Sequence, residues 1–354
     1  MIARMAELDP RHIKTRFVRM AFSADNARMG RFELRKVLHL PSVLLRSWWA
    51  IWCFRPDVVY YPPAGPERIP VIRDLLLLIP LRPFVDRWLF HFHAGGVSEL
   101  LARSPWWLRA PAWMAYRRPA VAIRIAPQNP PDGTYFAAAH DLVVANGLPD
   151  DFPAGPPVRS IHPGPLRVLF VGLLCEGKGI LVLIAALAEL IRRGVAVQAE
   201  LVGRFASPGF AAEVHQVLAT LGLTDVVTFP GILSGDAKAD AFARAEVFAF
   251  PSHYSAETFG LVLVEAMMSG LPVVATRWRG IPSVVMEGET GFLVPTHAPD
   301  ELADQLARLA GDPVLRNRLG NAGRQRFNEL FTMERWLAAM VTAVRLAADK
   351  GTGR

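Results

Sequence analysis

Cysteine is almost missing from this chain: Cys53 and Cys175 are the only two in 354 residues. Two cysteines make no disulfide framework. Neither stands in a C-x-x-C, so thiol redox chemistry and structural zinc are not expected, and a reducing cytoplasm is the default compartment. A membrane-spanning run is missing too. The richest apolar stretch, Leu75 to Leu81, is interrupted by Pro80 and bounded by Asp74 and Arg82, whereas a span needs roughly 20 apolar residues. At the start, Glu7 and Asp9 stand where a signal peptide needs its apolar segment, so no export signal is read. No internal repeat of solenoid type appears. Low complexity is excluded as well, because the 27 glycines and 29 prolines are spread along the chain.

What is present is a composition that folds: 52% hydrophobic and 20% charged residues. The length favours two domains or one large α/β unit. The net charge of +7 is unevenly placed, because residues 1–150 hold 20 basic and 12 acidic side chains, a balance of +8, which leaves −1 for the rest. Seven of the nine tryptophans also fall there: Trp48, Trp49, Trp52, Trp88, Trp106, Trp107 and Trp113. Arginine beside tryptophan suits an anionic membrane interface, where the ring sits at headgroup level and the guanidinium meets phosphate. The alternative is a basic surface with the tryptophans packed inside. Nucleic acid is not expected, since no helix-turn-helix, zinc or RNP-like motif accompanies the charge.

The second half reads as strand–helix alternation. Short apolar runs at 167–172, 197–202, 226–229, 247–250 and 271–275 have the pattern of buried parallel strands. Between them, helical periodicity covers 179–193, 208–221, 236–245 and 260–269, with Gly194, Gly222 and Gly270 as stops. This predicts an α/β fold with a doubly wound parallel sheet and ligands at the carboxyl ends of its strands. The first half is rougher. Strands are expected at 57–61, 88–93, 121–125 and 141–145, and helices at 31–54 and 98–117. Residues 147–165, with six prolines, read as a linker. A last apolar-periodic helix covers 329–348.

Residues 246–295 carry the chemistry. A strand leads into a loop with Glu257, then Thr258-Phe259-Gly260 and a helix carrying Glu265. The first turn of that helix presents backbone N–H groups and the positive end of its dipole, a ready phosphate site, and Gly260 lets a ligand approach the backbone. Two carboxylates eight residues apart suit diol recognition, because each oxygen accepts from a neighbouring hydroxyl. His253 reads as a structural loop residue and Cys175 as a small filler.

With these residues in view, the chain resembles the retaining GT-B glycosyltransferases of the glycogen-synthase-like group, family 4. Their E-x7-E signature appears as Glu257 to Glu265, in the setting P-S-x-x-x-x-E-x-F-G-x-x-x-x-E-A-M-x-x-G-x-P-V-V. The likeness continues through Gly280-Ile-Pro, Glu289-Thr-Gly-Phe-Leu, Val171-Gly172 … Lys178-Gly179, Val202-Gly203 and Phe229-x-Gly231, spanning 166–345. More loosely it takes in Arg55-Pro-Asp-Val-Val, His91-Phe-His93-Ala-Gly-Gly and Val143-Val-Ala-Asn146-Gly147. The resemblance implies two Rossmann-like domains facing a cleft. Residues 1–155 would bind the acceptor, 156–330 the nucleotide sugar, and 331–354 would form a helix crossing back to the first domain. It implies Glu265 at the ribose, Glu257 at the donor-sugar hydroxyls and His93 along the sugar. Lys178, with the backbone at Phe259, Gly260 and Leu261, would meet the diphosphate. Gly172 and Gly203 would lie at the donor, with Ile232 and Leu233 flanking the base.

The implied reaction moves a sugar from a nucleoside diphosphate sugar to a carbohydrate or lipid-linked acceptor, with retention and without a cofactor. The setting would be cytoplasmic, with an anionic membrane surface at the inner face as a further partner. No Asp-x-Asp motif occurs, so a metal-bridged architecture has no support. A dinucleotide-dependent oxidoreductase lacks its G-x-G-x-x-G after a strand. Two features depart from the family. Its opening strand and Gly-rich loop are not found, since the chain begins MIARMAELDPRH. Leu173 also stands where many members place an arginine. Those departures motivate the competing reading, a catalytically impaired scaffold or binding subunit.

Overall fold

The computed structural model describes residues 13–20, 34–157, 164–255 and 257–349. The expectations for residues 1–12 therefore lie outside the described residues. The chain divides into two compact units, residues 1–145 with 336–354, and residues 146–335.

The first unit follows the order α1 (Leu34–Phe54), β1 (Val59–Tyr61), α2 (Arg68–Leu81), β2 (Trp88–Phe92), α3 (Val97–Ala102), α4 (Trp106–Tyr116), β3 (Val121–Arg124), α5 (Asp132–Tyr135) and β4 (His140–Val143). Its four strands are parallel and lie in chain order, β1-β2-β3-β4. Strand β2 is buried along its whole length. Alternation sends Trp88, Phe90 and Phe92 to one face. There they join Val71, Leu75 and Leu78 of α2 and Leu108, Ala112 and Tyr116 of α4 in one core. His91 belongs to the opposite face. Beside this core, α2 buries a carboxylate, Asp74, which accepts from the Tyr61 hydroxyl (2.8 Å), the Tyr116 hydroxyl (2.9 Å) and the Ala64 N–H (2.6 Å). Arg73 pairs with it at 3.0 Å. Asp74 thus ties β1, α2 and α4 together, and burial beside this negative charge pushes both tyrosines well above their ordinary range.

The expected helix over 98–117 is two helices. Ser104-Pro105 separates them, because proline removes a donor and disfavours helical backbone in the residue before it. Helix α2 has no counterpart in the sequence reading. Pro70 in its first turn and Pro80 in its last obscure the helical period of the leucines.

The second unit runs β5 (Leu166–Val171), α6 (Ile180–Arg192), β6 (Val197–Val202), α7 (Pro208–Leu221), β7 (Val227–Thr228), α8 (Gly235–Arg244), β8 (Val247–Phe250), α9 (Leu261–Met268), β9 (Val273–Thr276), α10 (Ile281–Val284), β10 (Gly291–Val294), α11 (Pro299–Gly311) and α12 (Pro313–Arg326). Local signals set these helices. For α7, Ser207 accepts from the Phe210 N–H at 3.2 Å, Pro208 opens the helix, and Gly222 closes it at φ +68°. The six parallel strands lie in the order β10-β9-β8-β5-β6-β7. A π turn at Phe327–Phe331 leads into α13 (Met333–Ala348), which belongs to the first unit from Trp336 onward.

Where it is described, the proline-rich stretch is not a free tether. The Leu148 N–H donates to the Phe331 carbonyl at 2.8 Å, and the Met333 N–H donates to the Leu148 carbonyl at 2.9 Å. Arg324 grips Asp150 through both carboxylate oxygens, at 2.8 and 2.5 Å.

Candidate functional site

The strand order of the second sheet reverses at β5. Strands β6 and β7 follow it on one side, and β8, β9 and β10 lie on the other. Crossover helices then leave on opposite faces, and the loops after β5 and β8 diverge, opening a crevice at their carboxyl ends. Two glycines bring the neighbouring loops close. Gly203, at φ +147°, has no room for a Cβ, which would lie 1.8 Å from the Gly172 carbonyl oxygen. Gly179, at φ +75°, would place one 2.1 Å from the Pro251 carbonyl oxygen. Hydrogen bonds join the same loops: the Gly172 N–H to Val202 (2.9 Å), the Gly203 N–H to Gly231 (2.8 Å) and the His253 N–H to Gly177 (2.8 Å).

The crevice loops carry opposite charges in contact. Lys178, at the end of a single turn after β5, places Nζ 2.5 Å from Glu257 Oε2. Its ammonium also stands 5.2 Å from the Phe250 ring centroid and 5.1 Å from that of Tyr254, in cation–π range. Glu257 is buried and accepts a second hydrogen bond, from Ser252 Oγ at 3.2 Å. The Thr276 hydroxyl donates to the Ser252 carbonyl, so the end of β9 steadies the loop that orients Glu257.

Gly260 takes the left-handed conformation, φ +76°, and caps α9. Phe259 before it is buried edge-on against Phe331, ring centroids 5.7 Å apart. The first turn of α9 leaves backbone N–H groups without intrahelical partners. On α9, Glu265 places Oε1 2.7 Å from Lys238 Nζ of α8. Beyond Gly231, Ile232 is exposed and Leu233 is half-buried, while Phe229 packs with Phe205 and His215 at the mouth of β6 and β7.

Of the residues singled out from sequence, Lys178 and Glu257 meet directly, and Gly172 meets Gly203. Glu257 and Glu265 lie on different elements, a loop and a helix. Lys238 was missed. It belongs to no motif and stands 27 residues from its partner. The one available signal was scarcity: the chain has five lysines, and two of them hold the two acids. Leu173 is half-buried beside Gly172.

His93 stands just past β2 in the first unit. Its ring stacks on the buried His91 ring, centroids 3.9 Å apart. The Tyr60 hydroxyl bridges both, 3.0 Å from His91 Nδ1 and 3.4 Å from His93 Nε2. Burial pushes His93 down to about 4. His91 is lowered well below the ordinary range, by burial first and by His93 second. Both rings are therefore neutral at pH 7. The loop after them is held by Asp132, which accepts from the Gly96 N–H at 2.8 Å and the Ser98 N–H at 2.7 Å. Among the described residues, no group of three or more His, Cys, Asp or Glu side chains is placed to hold a metal ion.

Residues 156–326 match the family described as "Glycosyl transferases group 1". A D-inositol 3-phosphate glycosyltransferase of Streptomyces bingchenggensis is 36% identical over 186 residues, 51% of this chain and 40% of the relative. Another, from Corynebacterium efficiens, is 39% identical over 156 residues, 43% of this chain and 36% of the relative. The matched stretch thus spans about two fifths of these curated relatives. Among solved structures, the sucrose-phosphate synthase of Thermosynechococcus elongatus covers 90% of this chain and is itself covered to 80%, with a TM-score of 0.70 at 24% identity. Anabaena HepE in complex with UDP gives a TM-score of 0.68 at 21% identity, covering 86% of this chain and 82% of its own. The fold is accordingly α/β of the GT-B kind, with two parallel sheets.

Proposed function

We propose, from the match of residues 156–326 to the family described as "Glycosyl transferases group 1", that this protein is a retaining glycosyltransferase using a nucleoside diphosphate sugar. The observation that carries this reading is the paired charge at the switch point, Lys178 with Glu257 and Lys238 with Glu265. The bond between the anomeric carbon and the diphosphate breaks, and the acceptor hydroxyl forms the new bond on the same face while its proton passes to the leaving diphosphate. Negative charge grows on the leaving diphosphate, where Lys178 and the α9 N-terminus at Phe259, Gly260 and Leu261 offset it. Glu265 takes the ribose hydroxyls and Glu257 those of the donor sugar. Gly172 and Gly203 let the ligand reach the loop backbone, and Ile232 and Leu233 flank the base. The first unit takes the acceptor role, with His93 as the neutral residue that meets the sugar. The acceptor is a lipid-linked saccharide at the inner membrane face, in polysaccharide or glycolipid synthesis.

HepE has been solved with UDP and with UDP-glucose, so uridine nucleotides are the first donors to test. Calorimetric titration with UDP, GDP and ADP, beside hydrolysis of the matching glucose donors, tests the reading. Binding of one nucleoside diphosphate, weakened tenfold or more in Glu265→Ala, is expected, with hydrolysis of the matching donor. Binding without any hydrolysis or transfer would favour the scaffold reading that Leu173 motivates. No binding of any of the three nucleotides would overturn the proposal.

A further inference from the structure

Of the seven tryptophans between residues 48 and 113, six are on the surface of the first unit and Trp88 is buried, as is Trp336 of α13. On α1 the outward positions are Leu45, Trp48, Trp49 and Trp52, a stripe at helical spacing, while Val43 and Ala50 face inward. On α4, Trp106, Trp107, Trp113 and Met114 face out, while Leu108, Ala112 and Ala115 face in. Helix α2 packs against both α1 and α4 and adds Ile69, Ile72 and Leu76. Trp48 links α1 to the last turn of α2, donating to the Pro80 carbonyl at 3.3 Å, and meets Phe84 just beyond it edge-on. Trp52 is 79% exposed, Trp106 78%, Trp49 59% and Trp107 53%. Indole rings left in water on one face require a partner surface.

Charge says which. The three helices contain one acid, Asp74, and it is buried. Their exposed charges include Arg46, Arg68 and Arg109, with Arg16 lying 4.4 Å over the Trp49 ring and Arg103, Arg117 and Arg118 flanking α4. Glu67 and Asp86 stand beyond the ends of α2. A second copy of this chain would be a poor occupant, since a two-fold contact sets the same patch against itself and arginine against arginine. An anionic lipid surface answers both features: indoles settle at headgroup depth and guanidinium groups pair with phosphates. Among the described residues no helix is long and apolar enough to cross a membrane, so contact of this kind is made by lying on the surface.

We propose that the outward face of α1, α2 and α4 is a docking surface for anionic lipid headgroups. This deepens the lipid-linked acceptor reading and rests on it for the partner, while its geometry belongs to the first unit alone. The test is co-sedimentation of the full chain with phosphatidylcholine vesicles, with and without phosphatidylglycerol. Binding is expected to the anionic vesicles and to fall as salt rises from 0.1 to 0.5 M. Trp52→Ser with Trp106→Ser should weaken it tenfold or more, and each of Arg46→Ala and Arg109→Ala about fivefold, all with unchanged thermal melting. Nucleoside diphosphate titration of the same variants reads the donor site separately and should not change. Three results would overturn the proposal: no binding to anionic vesicles, equal and salt-insensitive binding to both kinds, or variants that bind like the parent. So would a parent dimer that these substitutions dissociate, since the face would then belong to a second copy.

Discussion

Each unit places a polar cluster at the carboxyl end of a buried parallel strand, and the two clusters differ in charge. Lys178 after β5 and Lys238 on α8 meet Glu257 and Glu265, both after β8, within 2.7 Å. After β2, the buried His91 stacks on the half-buried His93, the Tyr60 hydroxyl bridges the two, and burial holds both imidazoles neutral. One cluster carries the charges that the proposed function assigns to a diphosphate sugar. The other offers hydrogen bonds to uncharged hydroxyls. The difference teaches that an α/β scaffold does not dictate its electrostatics; that is set by which few side chains the loops carry.

The sharpest way to break this contrast is to remove charge from the second unit. Lys178→Ala should cut single-turnover transfer by two to three orders of magnitude, roughly 3–4 kcal/mol, because in the proposed role the ammonium faces charge that grows mainly in the transition state. Affinity for the nucleoside diphosphate should fall much less. In Glu257→Gln, which frees Lys178 from its partner, that affinity should hold or tighten while transfer is lost. If neither quantity moves in Lys178→Ala, the lysine is a surface residue.

The neutral cluster is probed by pH. A histidine held near 4 in the fold and near 6.5 when unfolded binds its proton only in the unfolded chain between those values. Its contribution to stability is therefore complete above pH 6.5 and is lost as pH falls toward 4, up to about 3 kcal/mol. Urea unfolding across pH 4–7.5 should show a steeper acid loss for the parent than for His93→Asn. Parallel curves would place His93 in water.

Lys238→Ala sharpens the contrast from the other acid. Glu265 would lose the cation that orients it, and nucleoside diphosphate affinity should fall about tenfold, near 1.4 kcal/mol, with single-turnover rate at saturation unchanged. Titration calorimetry reads the first quantity and rapid quench the second. A fall in rate alone would move Lys238 to the diphosphate. The smallest effect is expected from Tyr60→Phe, which deletes the hydroxyl shared by both imidazoles and should cost about 1 kcal/mol in unfolding free energy. An unchanged melting temperature would mean that the bridge holds nothing.

Much of the second unit was legible because its signals are local. The strand at β8, the stop at Gly270 and the spacing of Glu257 and Glu265 are each contained in a short window of sequence. The first unit was harder because its signals conflict. Pro80 hid the end of α2, and Pro105 broke a helix that periodicity had run through. The tryptophans were the clearest ambiguity. Positions 45, 48, 49 and 52 announce an amphipathic helix, but an apolar stripe looks the same whether it faces a core or a membrane. Burial distinguishes Trp88 from the other six.

The amino-acid sequence by itself determined the alternation of strand and helix, the parallel α/β class and the loop that carries Glu257. Hydrophobic period, caps and glycine stops act over a few residues and need no distant partner. Only the tertiary structure decided which cation each acid meets. Lys178 lies 79 residues from Glu257, and Lys238 lies 27 from Glu265. It also decided that Tyr60 closes on His91 across 31 residues. Those pairings depend on strand order, which brings β5 beside β8 and β1 beside β2. That order is set by how whole helices and strands pack into a common core, so no local window contains it.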